Sequence, residues 1–514
     1  MKPTELSVPT GTQPIGYARL ILERKLSVLP PHRLSFVAKG ATRVIQDGQQ
    51  ERVVYTAQYD PGPTDSAHLE FAIKHEGVNL EVLTAYFRAR GLDIEGELTQ
   101  CITATPTGVF VRRLWCLYEW LTGRRLPIKD MTMGNYQPLL DPGEYVTHDG
   151  TERFKRQRLV DNLLGVRDFC PIVRRTPALK ASEAGNLGAA VSQLVRNYSD
   201  DVIRRAVNYL YTRETRSSFE IENERPDDKR IDRYMALLRE VPRIAVLSEQ
   251  ELVRIQNETV EPRYAEGSFR TEQNYVGETF GFNKEKVHYL PPRPEEIRTL
   301  MLGWLATASR LSTTEVDPVV HAALLSFAFV LLHPFKDGNG RLHRLLIHHV
   351  LSRRGFTPTD LIFPVSAVIV RKAREYNDCL ESFSRPVMSL VDYAMDDEGQ
   401  VTIGDDTSSL YRYPDLTRMA EDLYRWVTDT INTDFRSELD FVIEFQKLQE
   451  EIRRVVDLPD RLLRLFVRVA VHNGGKISNS KRSKFDSLED DEIAAMEEIV
   501  QRHLPKLKPA SDLA

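Results

Sequence analysis

His333-Pro334-Phe335-Lys336-Asp337-Gly338-Asn339-Gly340-Arg341-Leu342-His343-Arg344 is the stretch that decides how this 514-residue chain is read. An apolar run, Val319 to Leu332, precedes it, broken only by His321 and Ser326. A second run, Leu345 to Leu351, follows with apolar residues at helical spacing. The pattern predicts two helices joined by a compact loop that contains glycine. Gly338 and Gly340 permit positive φ and close backbone approach, and they fall where the second helix should begin. The first N–H groups of that helix lack intrahelical partners and sit at the positive dipole end, which makes an anion site. Arg341 and Arg344 are three apart and share a helix face; two guanidinium forks on one face suit a polyphosphate. Asp337 is a hard oxygen ligand suited to Mg²⁺ bridging phosphates. His333, at the end of the first helix, is placed to take a proton from an incoming hydroxyl near neutral pH.

The string is similar to the signature of the Fic family, His-x-Phe-x-(Asp/Glu)-Gly-Asn-Gly-Arg-x-x-Arg, at every fixed position. A zinc cluster is the competing reading of the histidines. His343, His348 and His349 do not follow the His-Glu-x-x-His pattern and no cysteine is near, so they read as surface or packing residues.

Three further stretches resemble family features. Ser218-x-x-x-Glu222-Asn223 is similar to the inhibitory-helix motif, (Ser/Thr)-x-x-x-Glu-(Gly/Asn), and lies N-terminal to the main motif. The resemblance implies that Glu222 pairs with Arg344 in the place of a nucleotide γ-phosphate, with Ser218 fixing its rotamer or capping the helix. Gly267 to Gly277 reads as two short extended pieces bounded by glycines. It looks like the family's flap, with Asn274, Tyr275, Val276 and Gly277 holding a target side chain by strand addition. The family usually has an aromatic pair where this chain has Tyr376-Asn377, so Tyr376 alone is carried over as an adenine or ribose contact.

The resemblance implies a protein adenylyltransferase using ATP and Mg²⁺. The α- and β-phosphates would lie on Gly338-Asn339-Gly340, with Asp337 on the metal, Asn339 and Arg341 on phosphate charge, and Arg344 on the γ-phosphate. His333 would deprotonate a Ser, Thr or Tyr hydroxyl of a target protein, which attacks the α-phosphorus and expels pyrophosphate. The kinase branch of the family replaces the first loop glycine by alanine and the arginine by lysine; Gly338 and Arg341 favour AMP transfer. Two alternatives stay open: hydrolytic removal of AMP with Glu222 positioning water, and a nucleotide-sensing regulator whose C-terminal region binds DNA.

Composition sets the frame. Apolar residues are 41%, charged residues 28% and the net charge −5, an ordinary balance without a general pull towards nucleic acid or anionic lipid. The four cysteines, Cys101, Cys116, Cys170 and Cys379, are scattered, as expected of reduced thiols. Met1 to Pro14 lacks the apolar core of a secretory signal, and Val319 to Leu332 is too short to cross a bilayer, so the expected location is the cytoplasm.

The expected fold is mainly α. An α+β N-terminal domain occupies 1–130, with strands at Leu34–Val37 and Val53–Tyr55 and an aromatic-rich helix from Thr107 to Leu121. Residues 131–184 form an irregular linker, 185–395 the Fic-type helical core with its β-hairpin flap, and 396–514 a helical C-terminal domain. In that last part Leu410 to Val427, Phe441 to Val456, Leu462 to Val471 and Asp490 to Val500 read as helices. Helix, Asn473-Gly474-Gly475 turn, basic Lys481-Arg482-Ser483-Lys484 and helix could make a winged-helix DNA binder. Net acidity favours an appendage for homodimerisation or target docking instead.

Overall fold

A computed structural model describes residues 1–48, 50–279, 285–358 and 360–507. The chain is mainly helical with small sheets, and it groups into two compact units. One comprises residues 1–185, 236–353 and 372–424; the other comprises 186–235, 354–371 and 425–514. The first change of unit, after residue 185, lies one residue from the linear boundary at 184, whereas the grouping cuts across the boundaries at 130 and 395. The reason is that the chain leaves the second unit after residue 235 and returns to it twice.

In the first unit the N-terminal sheet has the spatial order Gln13–Ile15, Arg33–Ala38, Gln50–Thr56, Arg43–Asp47. Arg33–Ala38 runs parallel to Gln50–Thr56, and the other pairings are antiparallel. Leu34 and Phe36 alternate onto the buried face. The helices Asp65–His75 and Leu80–Arg90 start at side-chain caps: Thr64 accepts from the Ala67 N–H and Asn79 from the Val82 N–H. The helix Val109–Thr122 supplies the centre of this core through Leu114, Trp115, Leu117 and Tyr118, and Gly123 closes it at φ 71°. These side chains are core, as expected.

Residues 127–175 are less structureless than expected. Gln137–Pro138, Leu159–Val160 and Arg153–Phe154 form a small three-stranded sheet. Buried Arg112 holds it by donating to the Gln157 carbonyl at 2.8 Å. Strands two residues long leave no periodicity for sequence reading to find.

The helices that carry the decisive loop lie at the centre of this unit. Pro318–Leu332 is apolar almost all round and correspondingly buried. Asp317 caps it, its carboxylate accepting from the N–H groups of Val319 and Val320. Trp304, on the helix Pro294–Leu311, donates to the Leu325 carbonyl at 3.1 Å. The outgoing helix is Asn339–Arg353.

In the second unit the helix Asp200–Ile221 is capped by Ser199. It meets Arg436–Val455 through Arg213, which forks to Asp434 and Glu438, and meets Val365–Arg371 through Glu214, which accepts from the Ser366 N–H at 3.0 Å. The helices Asp460–His472 and Asp490–His503 complete it. The single helix expected over Leu410 to Val427 is two, Ser408–Arg412 and Thr417–Thr430, because Pro414 interrupts it. Among the described residues of 425–507 there is no strand, so the wing of a winged helix does not form there. Arg482 of the basic stretch is spent on the carbonyls of Phe485 and Leu488 and on Asp490.

Candidate active site

His333 ends the incoming helix in the left-handed conformation, φ 49° and ψ 57°, with its N–H still bonded to the Phe329 carbonyl. A non-glycine residue there is strained and is held only by its surroundings. Its Nδ1 lies 3.3 Å from the Val330 carbonyl oxygen. A carbonyl can only accept, so Nδ1 carries the proton and, in the neutral ring, Nε2 carries the lone pair. The half-buried imidazole is thus oriented as a base at Nε2.

The loop is fixed by its own side chains. Phe335 is fully buried and packs against Phe269 and Phe329 at 5.7 and 6.3 Å. Asn339 clasps the Phe335 backbone from both sides, accepting its N–H at 3.1 Å and donating to its carbonyl at 2.7 Å. The side-chain amide expected on phosphate shapes the loop in this structure. Gly338 has φ 88°, and a Cβ there would lie 2.9 Å from Val260 Cγ1. Both its conformation and its neighbour require glycine.

Asp337 accepts from the Gly338 N–H at 2.6 Å and from Arg341 Nη2 at 3.0 Å, both on Oδ1. The carboxylate is 41% exposed. One hard, accessible carboxylate beside the free N–H groups of a helix start has the chemistry to fit Mg²⁺, which is commonly held by one or two carboxylates plus substrate phosphates. Among the described residues no group of three His, Cys, Asp or Glu side chains forms a metal cluster. His343 lies fully buried 4.6 Å from the Phe327 ring, and His349 Nδ1 lies 2.9 Å from the Val241 carbonyl oxygen, its pKa lowered by burial. Both rings are packed into the interior.

Arg341 and Arg344 are each 1% exposed on the outgoing helix. Tyr376, on the helix Ala373–Leu390, is 6% exposed with its ring 6.2 Å from His343, which leaves little surface for an adenine. The inhibitory-type residues belong to the second unit. Ser218 Oγ lies 2.9 Å from Tyr234 Oη, Glu222 is the C-cap of Asp200–Ile221, and Asn223 follows at φ 56°. Asn tolerates that left-handed cap.

The hairpin lies further along the chain than expected. Its strands are Val276–Thr279 and Glu285–Tyr289, and residues 280–284 fall outside the described residues. Val276 and Gly277 are in it, whereas Asn274 and Tyr275 precede it. The stretch expected to form the first extended piece is instead strapped to the motif loop by single bonds. Asn274 donates to the Phe335 carbonyl at 2.9 Å, and the Arg270 N–H donates to the Pro334 carbonyl at 2.8 Å.

Arg270 is the chief residue that sequence reading missed. Its guanidinium, 3% exposed, donates to the carbonyls of His333 (2.9 Å), Glu272 (3.0 Å) and Pro292. It binds the loop, the flap approach and the proline connector at one point; burial pulls its pKa down to about 10, so it is still charged at neutral pH. Gln256 and Glu266 hold the other side. Gln256 donates to the Asp337 carbonyl at 3.3 Å, and Glu266 accepts from the Lys336 N–H at 2.7 Å.

Residues 246–351 match the family model described as Fic/DOC family. Protein adenylyltransferase fic-1 of Caenorhabditis elegans is 36% identical over 99 residues, covering 19% of this chain and 17% of that protein. Protein adenylyltransferase Fic of Culex quinquefasciatus is 30% identical over 170 residues, 32% of this chain and 26% of that protein. The chain thus spans about a sixth to a quarter of the length of these curated relatives. Among solved structures, Fic-1 (residues 134–508) from C. elegans aligns over 72% of this chain and 93% of that one, at 16% identity and a TM-score of 0.30. A Fic family protein from Desulfovibrio desulfuricans aligns over 61% and 85%, at 18% identity and a TM-score of 0.35. The motif lies inside that match: residues 246–351 are similar to the Fic/DOC family.

Proposed function

We propose that this chain is a protein adenylyltransferase, moving AMP from ATP to a Ser, Thr or Tyr hydroxyl of a target protein. The observation that carries the proposal is the orientation of His333: with Nδ1 held on the Val330 carbonyl, Nε2 is the proton acceptor. ATP binds with its phosphates at the amides of the outgoing helix start, where Gly338 leaves room for backbone approach, and Arg341 and Arg344 oppose its charge. Asp337 would hold Mg²⁺ through Oδ2, and the ion would supply charge neutralisation between phosphate oxygens. The target hydroxyl gives its proton to Nε2 as its oxygen bonds to the α-phosphorus. The bond from that phosphorus to the bridging oxygen breaks, and pyrophosphate leaves. The strand Val276–Thr279, in a sheet that has two strands among the described residues, offers an edge to an extended target segment.

Glu222, placed by the Ser218-x-x-x-Glu222-Asn223 spacing at a rigid helix C-terminus, restrains this activity. Two measurements test the reading. Mass spectrometry of lysate proteins incubated with the Glu222→Gly variant and ATP should find AMP on Ser, Thr or Tyr side chains; ATP turnover without any protein adduct would overturn it. Glu222→Gly should also raise self-labelling, and unchanged labelling would remove Glu222 from regulation.

A further inference from the structure

Within the second unit, the helices Asp200–Ile221, Arg436–Val455 and Asp460–His472 line a groove of about 1040 Å³. That is at or beyond the size of a site for one small molecule, about 300–1,000 Å³. Arg461, Arg464 and Arg468 stand at i, i+3 and i+7, so one helix face presents all three, about 4.5 and 6 Å apart along the axis. Lys484 adds a fourth cation. All four are exposed, and among the described residues none is in an ion pair. The groove's other charges are already spent: Arg205 on Asp201 and Asp460 on Arg453. Four uncommitted cations gather here on a chain whose net charge is −5.

The groove is also aromatic. Tyr209 is 37% exposed and meets Phe441 edge-on at 5.7 Å, and Phe445 stacks on Phe441 at 5.8 Å. Arg464 is near enough to Tyr209 to offset part of the rise that burial gives its hydroxyl pKa. A cation beside a half-open ring is the combination that grips a phosphate and stacks its base.

We infer that this groove binds single-stranded nucleic acid, the arginine row on the backbone and Tyr209 under a base. Of the basic stretch Lys481 to Lys484 only Lys484 lines this surface, Arg482 being committed internally, and the groove owes nothing to the nucleotide chemistry of the other unit. An acidic peptide would use the cations and leave the ring idle. A duplex would keep its bases paired and away from Tyr209.

The test is fluorescence anisotropy of a labelled single-stranded oligonucleotide of about twelve bases with the full chain. Three phosphate contacts predict a slope of log affinity on log salt of about −2. The R461E/R464E/R468E variant should weaken binding more than about 100-fold at low salt. Tyr209→Ala should weaken it about tenfold or more while Tyr209→Phe binds as the parent does, which separates stacking from the hydroxyl. The milder Arg464→Gln, checked for an unchanged circular dichroism spectrum, keeps the test open should the triple variant unfold; it should weaken binding and flatten the slope by about 0.7. Equal affinity of the charge-reversed and parent chains would overturn the inference. So would tighter binding of a blunt duplex, or competition by polyglutamate as effective as by unlabelled strand, which would make the groove a protein-docking surface.

Discussion

Arg341 and Arg344 on one helix and Arg461, Arg464 and Arg468 on another carry the same helical spacing in opposite surroundings. The first pair is 1% exposed, sunk in the unit that holds the glycine loop; the second set stands exposed along a groove. Spacing decides which arginines share a face, and it does not decide what that face meets. What separates them is the context. The pair follows an all-round apolar helix and a tightly clasped turn, whereas the row alternates with Leu463, Phe466 and Val467, which take the inward side. A buried fork is held in place by the packing around it, and an exposed one is open along a groove to a large partner.

That contrast can be broken in four places. The largest effect belongs to the buried pair. Arg344 is 1% exposed, so Arg344→Gln leaves a cavity in a buried site, and urea denaturation should show a loss of about 4 kcal/mol. Next is a buried group of the opposite sign. Glu76, 2% exposed, accepts the Tyr17 N–H at 2.7 Å, and burial lifts its pKa to about 7. The folded chain holds this proton more tightly than the unfolded one does. Its contribution is therefore full below about pH 4.5 and is lost as pH rises through about 7, a fall of about 3 kcal/mol. Glu76→Gln should flatten that part of the stability profile; an unchanged slope would mean that Glu76 does not titrate there.

Arg270 sharpens the comparison, because it is buried yet serves carbonyls rather than a ligand. Arg270→Lys cannot reproduce three bonds from a rigid fork, and it should cost about 2 kcal/mol. AMP transfer should fall with ATP affinity unchanged, since His333 rather than the phosphate site loses support. Smallest of all, Arg464→Gln should leave stability within about 0.5 kcal/mol. A large destabilisation there would mean the row is structural and the contrast false.

Much of this was legible in sequence. The apolar run Val319 to Leu332, and glycines ahead of spaced arginines, reported both helices and the turn, because each signal is local. The strap was not legible. Arg270 recognises backbone carbonyls some 20 to 60 residues away, and any residue supplies a carbonyl, so no pattern in the chain marks its partners. The hairpin was misplaced for a related reason. Glycines at 267 and 277 resemble strand boundaries, whereas Phe269 and Arg270 are drawn inward by the loop. The clasp of Asn339 on the Phe335 backbone was not legible, because a side-chain amide next to glycines suits phosphate and backbone equally well. The pairing of 186–235 with 354–371 and 425–514 is a long-range choice that periodicity does not encode.

The orientation of His333 is tested most directly by following transfer of ATP's radiolabelled α-phosphate to protein, beside equilibrium ATP binding, in the parent chain and in His333→Ala. Loss of the base should lower transfer by at least about 100-fold while ATP binds as before. Transfer that persists at the parent rate in His333→Ala would contradict the assignment.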